Sequence, residues 1–342
     1  MALALFRQGP IFPKPGQART IIDAAGENVA ITQPFQGFIP GWHLFDVLQK
    51  THRPEALAKV GVNHGWLTER LSVLYWVYPG LNPGAFSDDL ESILAHDRGY
   101  VYLARPEVKR FGLAAPTIMP SGRPPDAEDT MFTMVRVLND IADQSGQGQF
   151  IIESFKLEKA LVEAGVEIEL TGVLPPPERR PRTLAMVCPD GEWTRLWGSG
   201  MADLKLGLTD ISDGMSAAGR ESDAERILYM NPDFIILRVG TAEVFLRDPR
   251  WQGLEAVRRR RVYSNITDLN GYTYDLDNIP GAYRWLAELV YPDLLQPRLR
   301  GILRAHYLNS YQFYLNDFYL DYLLQLDLNG GSSGYNRFER HS

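Results

Sequence analysis

Aromatic rings and guanidinium groups gather in the loops that follow strand-like runs of this sequence. In the first half these are Trp42 and His43 (PGWHLF), His64 and Trp66 (VNHGW), Arg105 (LARPE) and Arg123 (PSGRPP). In the second they are Trp193, Arg195 and Trp197 (GEWTRLWGSG), Arg238 (RVGTAE), and Tyr272, Tyr274 and Asp275 (NITDLNGYTYDLD). Loops at the carboxyl ends of strands are where open α/β sheets take their ligands. Rings offer flat apolar contact to a chelate or macrocycle, and arginines pair bidentately with carboxylates or oxyanions. Each residue also has a structural reading. Trp42 and Trp66 suit a core, since large aromatics are usually well buried. His43 and His64 lack a second ligand at close spacing and suit hydrogen bonding as well as metal binding. Arg105 and Arg238 suit solvated strand ends.

Signals for bond-making chemistry are poor. WGSG at 197–200 is not a nucleophile elbow, the Gly-rich stretch lacks the Lys-Ser/Thr of a phosphate loop, and no His-x-x-x-His or Cys pair is present. The reading is therefore a binding protein, not an enzyme, with no resident cofactor. With 342 residues, 45% hydrophobic and 23% charged, the chain is long enough for two cores and too apolar for bulk disorder. A net charge of -7 argues against nucleic acid as a partner. The single cysteine, Cys188, rules out an internal disulfide. No run approaches the roughly 18 apolar residues of a membrane span. The opening MALALFRQGPIFPKPG lacks a basic n-region and an apolar h-region, so it does not read as a secretory signal.

The elements that would position these loops are legible in outline. TIIDAAGENVAI (20–31) predicts a hairpin turning at Gly26. SDAERILYMNPDFIIL (222–237) predicts a short amphipathic helix, a turn at Asn231-Pro232-Asp233, and a buried strand from Phe234 to Leu237. DDLESILAHDRGYVYL (88–103) is a weaker copy, with Glu91 where Glu225 stands, Arg98-Gly99 in the turn, and Tyr100 to Leu103 as the strand. One unit repeated about 130 residues apart implies two similar α/β lobes. QFIIESFKLEKALVEAGV reads as a long connecting helix set off by Gly146 and Gly148, TLAMVC and RRRVYSNI as strands, and IPGAYRWLAELVYPDLL as a helix. Arg258 to Arg261 read as a solvated helix end. Tyr307, Tyr311, Tyr314, Phe318 and Tyr322 read as one helical stripe packed on the second lobe, and NGGSSGYNRFERHS as a mobile tail.

The chain resembles the solute-binding proteins of ABC importers for iron-siderophores, haem, cobalamin and related metal compounds. IIDAAGENVAI is similar to that family's opening hairpin, SDAERILYMNPDFIIL to its Glu-containing helix and Pro-Asp turn, and DPRWQGLEAVRRRRVYSNI to its following helix and strand, although Arg260 stands where the family often has Gly. The resemblance runs from residue 20 to about 295 and implies two α/β lobes joined by a single long helix, with the ligand cleft between the lobes. The boundaries it suggests are an extension at 1–19, an N-terminal lobe at 20–147, the connecting helix and linker at 148–180, a C-terminal lobe at 181–295, aromatic helices at 296–328 and a tail at 329–342. It further implies a monomer that is periplasmic or at the cell surface, a metal-chelate ligand, and docking on a membrane permease through one acidic residue per lobe. Glu91 and Glu225 occupy those positions; two fixed carboxylates would give steering and register. First-turn glutamates favoured by the helix dipole are the structural alternative. The paired positions of Arg105 and Arg238 also suit an oxyanion such as molybdate or tungstate. A role from another class, a cytoplasmic enzyme or a sensor on the same fold, stays open at this point.

Overall fold

A computed structural model describes residues 19–23, 26–31, 37–39, 100–103, 117–118, 145–187, 195–196, 206–211, 224–267, 280–311 and 314–340. The chain divides into two compact units, residues 1–156 with 310–312, and residues 157–309 with 313–342. In the first unit the expected hairpin forms: β1 (Arg19–Ile22) pairs antiparallel with β2 (Asn28–Ile31). Its turn closes on the buried Asp23, whose carboxylate accepts the Glu27 N–H at 3.0 Å, and Gly26 supplies the positive φ of 79°. Strands β3 (Gly37–Ile39), β4 (Tyr100–Leu103) and β5 (Thr117–Ile118) run parallel in that order, so the strand of the weaker repeat is central.

Helix α1 (Ser145–Leu170) follows. It starts before Gly146 and Gly148, so these glycines lie inside the helix instead of preceding it, and the division between units falls within it. A 26-residue helix absorbs two first-turn glycines at about 1 kcal/mol each.

In the second unit β6 (Arg182–Val187) is followed by β7 (Arg195–Leu196), β8 (Thr209–Asp210), α2 (Ala224–Met230), β9 (Phe234–Val239), α3 (Ala242–Arg247), α4 (Glu255–Arg258) and β10 (Val262–Ser264). β9 is central, parallel to β6 on one side and β10 on the other, and β7 turns back antiparallel on the end of β6. Each repeat strand is thus the middle strand of its own parallel sheet. Alternation gives this sheet two apolar faces. Leu184, Met186, Ile235, Leu237 and Val262 pack with Ile227 of α2, Phe245 of α3, Trp251 and Val257. On the other face Phe234, Tyr263, Tyr335 and Phe338 form a chain of ring contacts with centroids 5.0–6.2 Å apart.

The Asn-Pro-Asp turn explains why α2 and β9 meet as they do. Asn231 takes the left-handed conformation (φ 41°) that ends α2, and its N–H reaches the Ile227 carbonyl at 3.1 Å. Its side-chain oxygen accepts the Glu255 N–H at 2.9 Å and so caps α4. Asp233 exchanges bonds with β6: its N–H donates to the Arg182 carbonyl at 2.8 Å and its carboxylate accepts the Arg182 N–H at 2.9 Å. Of the arginine run, Arg258 and Arg259 pair with Glu255 at the exposed end of α4, as expected. Arg260 itself adopts the left-handed conformation (φ 56°), so the turn geometry is kept without glycine. Arg261 lies 4.9 Å over the Phe234 ring.

Helix α5 (Pro280–Val290) is buried on every side from Gly281 onward, and it crosses α6 (Leu299–Tyr311) closely. A Cβ at Gly281 would stand 2.5 Å from a Leu303 methyl, so any larger residue requires Leu303 to move. Helices α7 (Asp317–Leu323) and α8 (Leu326–Asn329) complete the order. The aromatic stripe does not form as one surface. The chain leaves the helix after Tyr311, and Asn316 caps α7 through the Tyr319 N–H at 3.0 Å, which restarts the helical phase. Tyr307 is buried, Tyr314 and Phe318 are exposed, and Leu315, Leu320, Leu323 and Leu324 form the inner side. Nor is 329–340 a mobile tail. Asn329, Tyr335 and Phe338 are buried, and residues 329–333 cover the open edge of β10: the Ser333 N–H donates to the Arg260 carbonyl at 2.8 Å and the Ser332 hydroxyl to the Val262 carbonyl at 2.5 Å.

Within the second unit, polar contacts latch α1 to α5 and α6. Glu158 meets His306 at 2.8 Å, and three turns later Glu169 takes a two-point contact from Arg284 at 2.8 and 3.2 Å. Arg284, 2% exposed, also donates to Glu288, which is fully buried, at 2.6 Å and to the Gln296 carbonyl at 2.5 Å. The Arg284 hydrogen bond holds the Glu169 carboxyl below its ordinary 4.5. Burial pushes the Arg284 guanidinium down, but its bonds to Glu169 and Glu288 outweigh this and hold it charged. Replacing Arg284 by leucine leaves the buried Glu288 with only the Arg298 N–H at 2.8 Å and the more distant Arg337 guanidinium at 3.7 Å, and is expected to cost about 3 kcal/mol at neutral pH. Because the folded Glu169 is depressed, its contribution is complete above 4.5 and disappears as the pH falls through the folded value. Urea unfolding across pH therefore shows a gap between wild type and Arg284→Leu that narrows below about pH 4.5.

Candidate functional site

The carboxyl rim of the second sheet is where the sequence places a ligand. Arg238 lies at the end of the central strand, β9, at an irregularity in the ladder: Met186 pairs with Leu237 but Val187 with Val239, leaving Arg238 as the extra residue of a bulge. Bulges bend a strand and re-aim the residue that carries them, and they concentrate beside functional sites. The chain then turns at Gly240 (φ 128°) into α3.

Ser264 holds this turn. Its hydroxyl accepts the Ala242 N–H at 2.8 Å and donates to the Gly240 carbonyl at 3.1 Å, capping α3 from across the sheet where Thr241, the residue in the cap position, makes no side-chain bond. The backbone of Ser264 is gripped in turn by Asn329, whose carboxamide oxygen accepts its N–H at 2.7 Å and whose NH2 donates to its carbonyl at 3.0 Å. Beyond Ser264 the rim continues through two backbone bonds, the Asn265 N–H to the Leu237 carbonyl and the Thr267 N–H to the Leu323 carbonyl, both 2.9 Å. The C-terminal segment therefore fixes the backbone at Ser264 and Thr267, ahead of the positions of Tyr272, Tyr274 and Asp275 in the sequence. Neither Ser264 nor Asn329 stands out in the sequence, where one reads as a strand residue and the other as the start of a Gly- and Ser-rich tail.

Of the predicted ligand residues, Arg238 and Arg195 lie among the described residues, and there by their backbone. Trp42, His43, His64, Trp66, Arg105, Arg123, Trp197, Tyr272, Tyr274 and Asp275 lie outside them, as do Trp193 and the docking candidate Glu91. Arg195 contributes its backbone to β7. Glu225 sits exposed in the first turn of α2, and Tyr229, one turn along, is 91% exposed. Among the described residues no group of three or more His, Cys, Asp or Glu side chains could hold a metal ion, and no helix is long and apolar enough to cross a membrane.

No protein-family model matches the chain, and no curated protein does. Solved structures do match. A periplasmic solute-binding protein of Veillonella parvula is 19% identical, with a TM-score of 0.67 over 92% of this chain and 99% of that one. The molybdate periplasmic binding protein MolA of Haemophilus influenzae is 18% identical, with a TM-score of 0.65 over 87% of this chain and 99% of its own. The triscatecholate siderophore-binding protein FeuA of Bacillus subtilis is 14% identical, with a TM-score of 0.54 over 80% and 98%. The chain has the α/β fold of the periplasmic solute-binding proteins. On that fold the Ser264–Asn329 clasp sets the rim of the second sheet. Asn329→Ala leaves the buried N–H and carbonyl of Ser264 without their partners and is expected to lower stability by about 2–3 kcal/mol, read by urea denaturation. Asn329→Asp keeps the acceptor but sets a buried carboxylate against the Ser264 carbonyl, and is expected to cost at least as much at neutral pH.

Proposed function

We propose that this protein captures a metal-containing small molecule, an iron-siderophore, haem or cobalamin-like chelate, and delivers it to an ABC permease. The observation that carries this reading is a likeness that spans 98–99% of binding proteins whose own ligands include molybdate and ferri-bacillibactin. Such neighbours belong to transporters and are not enzymes. The two units would be lobes joined by α1, with the ligand between them, rings stacking on it and Arg105 and Arg238 pairing with its negative charge. Closure would be a small rocking, because α1 is a continuous helix latched by Glu158 and Glu169. The compartment would be the periplasm or the cell surface.

A second reading, an oxyanion such as molybdate or tungstate, is favoured by the bulge at Arg238 together with the likeness to MolA. The two are separated by a thermal-shift screen of ferric siderophores, haem, cobalamin, molybdate and tungstate. A ligand at a hundred times its Kd should add about 2.7 kcal/mol of stability. A shift with a chelate supports the first reading, a shift with an oxyanion alone supports the second, and no shift with any of them removes both.

Glu91 and Glu225 would dock the permease, one from each lobe. Glu225 and Tyr229 share one exposed face of α2, a carboxylate to steer and a ring to bury at a contact. Reversing both charges (Glu91→Lys with Glu225→Lys) is expected to abolish transporter-coupled uptake while leaving ligand affinity unchanged. Unaltered uptake would refute the docking role.

A further inference from the structure

The C-terminal segment reaches from the rim of the second sheet to the residues that hold the carboxyl end of α1. At its start the buried Asn329 grips both backbone groups of Ser264, and the Ser264 hydroxyl holds the turn between Arg238 and α3. Toward its end Arg337 donates to the Leu295 carbonyl at 2.7 Å and lies 3.7 Å from the Glu288 carboxylate. That carboxylate holds Arg284, and Arg284 holds Glu169 of α1. The stretch between the two ends is bonded as well. The Tyr263 hydroxyl donates to the Ser333 carbonyl at 2.9 Å, and the buried Tyr335 hydroxyl accepts the Trp285 indole N–H at 3.1 Å and donates to the Leu324 carbonyl at 2.5 Å.

We propose that residues 329–338 act as a strap that couples the turn after Arg238 to the carboxyl end of α1, so that loosening either end loosens the other. Groups joined through one packed, hydrogen-bonded chain respond together, whereas distant groups with no shared partner respond independently. Burial makes each link count. Asn329 and Glu288 are both 0% exposed, so a partner freed by breaking either contact meets no water to replace it, and the chain around it has to shift. The direct route along the backbone is the weaker one. From α1 it passes through the exposed residues 171–174 and enters β6 at Arg182, the end of the strand remote from Val187 and from the bulge at Arg238. In a protein that takes a solute at this rim, the strap makes α1 register whether the turn after Arg238 is held. That use rests on the proposed solute capture; the coupling itself does not.

Native-state hydrogen exchange of the full chain, without any solute, tests it, because locally linked segments open together. Arg337→Met is expected to speed exchange of the Ser264 and Ala242 amides roughly tenfold, although both lie at the other end of the strap. Asn329→Ala is expected to do the same, by a similar factor, to the Arg298 amide, which Glu288 holds. The Asp233 amide, bonded to the Arg182 carbonyl at the amino end of the same sheet, is the internal reference and is expected to change by less than about twofold. Arg337→Lys, which keeps the positive charge beside Glu288, is expected to give a smaller change at the same amides, and it stands in if Arg337→Met does not fold. Far-end amides that keep their wild-type rates would overturn the proposal, as would rates that rise no more than that of Asp233. Since no solute enters the measurement, a failed solute screen and a failed coupling are separate results.

Discussion

The second unit depends on the four hydrogen bonds that converge on Ser264. Its N–H and carbonyl are closed by Asn329, and its hydroxyl closes the turn between β9 and α3. β10 is the edge of the described sheet, and an edge strand presents unpaired donors and acceptors that need cover. Here the cover comes from residues 329–333, more than 60 positions on, and the same contact sets the height of the turn that follows Arg238. Stability of the edge and placement of the rim are one constraint. The aromatic contacts from Phe234 through Tyr263 and Tyr335 to Phe338 then fill the space beneath.

The amino ends of β6 and β9 have their own fixed point in the Asn-Pro-Asp turn. Asn231 ends one helix and caps another, while Asp233 registers β9 against β6. Short polar side chains thus pin both the β10 edge and the amino ends of β6 and β9, with the apolar layers between them. α1 joins this body through the buried Val166 and Leu170, a hydrogen bond between Glu158 and His306, and the ion pair of Glu169 with Arg284. Polar latches of this kind fix orientation more than they add stability.

Local patterns made part of this legible in the sequence. The hairpin at 19–31, the helix-turn-strand at 222–237 and the strands TLAMV and VYS each follow from residues adjacent in the chain: Asp23 and Gly26 for the turn, Pro232 for the helix stop, apolar runs for doubly covered strands. The duplicated unit also pointed to equivalent strands, and β4 and β9 are each central in a parallel sheet. What escaped depends on contacts between residues far apart. Nothing local tells that the Asn of NGGSSG is buried, because its partner stands 65 residues earlier. The aromatic series kept a helical period across a real break, since period alone carries no record of the Asn316 cap that restarts the phase. IPGAYRWLAELV reads only as a helix, yet it is buried all round, and its Arg284 is held by Glu288 together with Glu169, 115 residues earlier. At the candidate site, strand ends located Arg238, whereas Ser264 behind it gave no signal because serine is common at strand ends and its role lies in two cross-chain bonds.

Solute capture is the central claim, and native mass spectrometry tests it most directly. The protein would be incubated with a ferric triscatecholate, haem, cobalamin, nickel-histidine and molybdate, and sprayed under non-denaturing conditions. The account predicts one adduct, at one ligand per chain, that persists when the competing solutes are in excess. Mass spectra showing the unliganded chain alone, under conditions where a known binding protein of this fold retains its ligand, would contradict it.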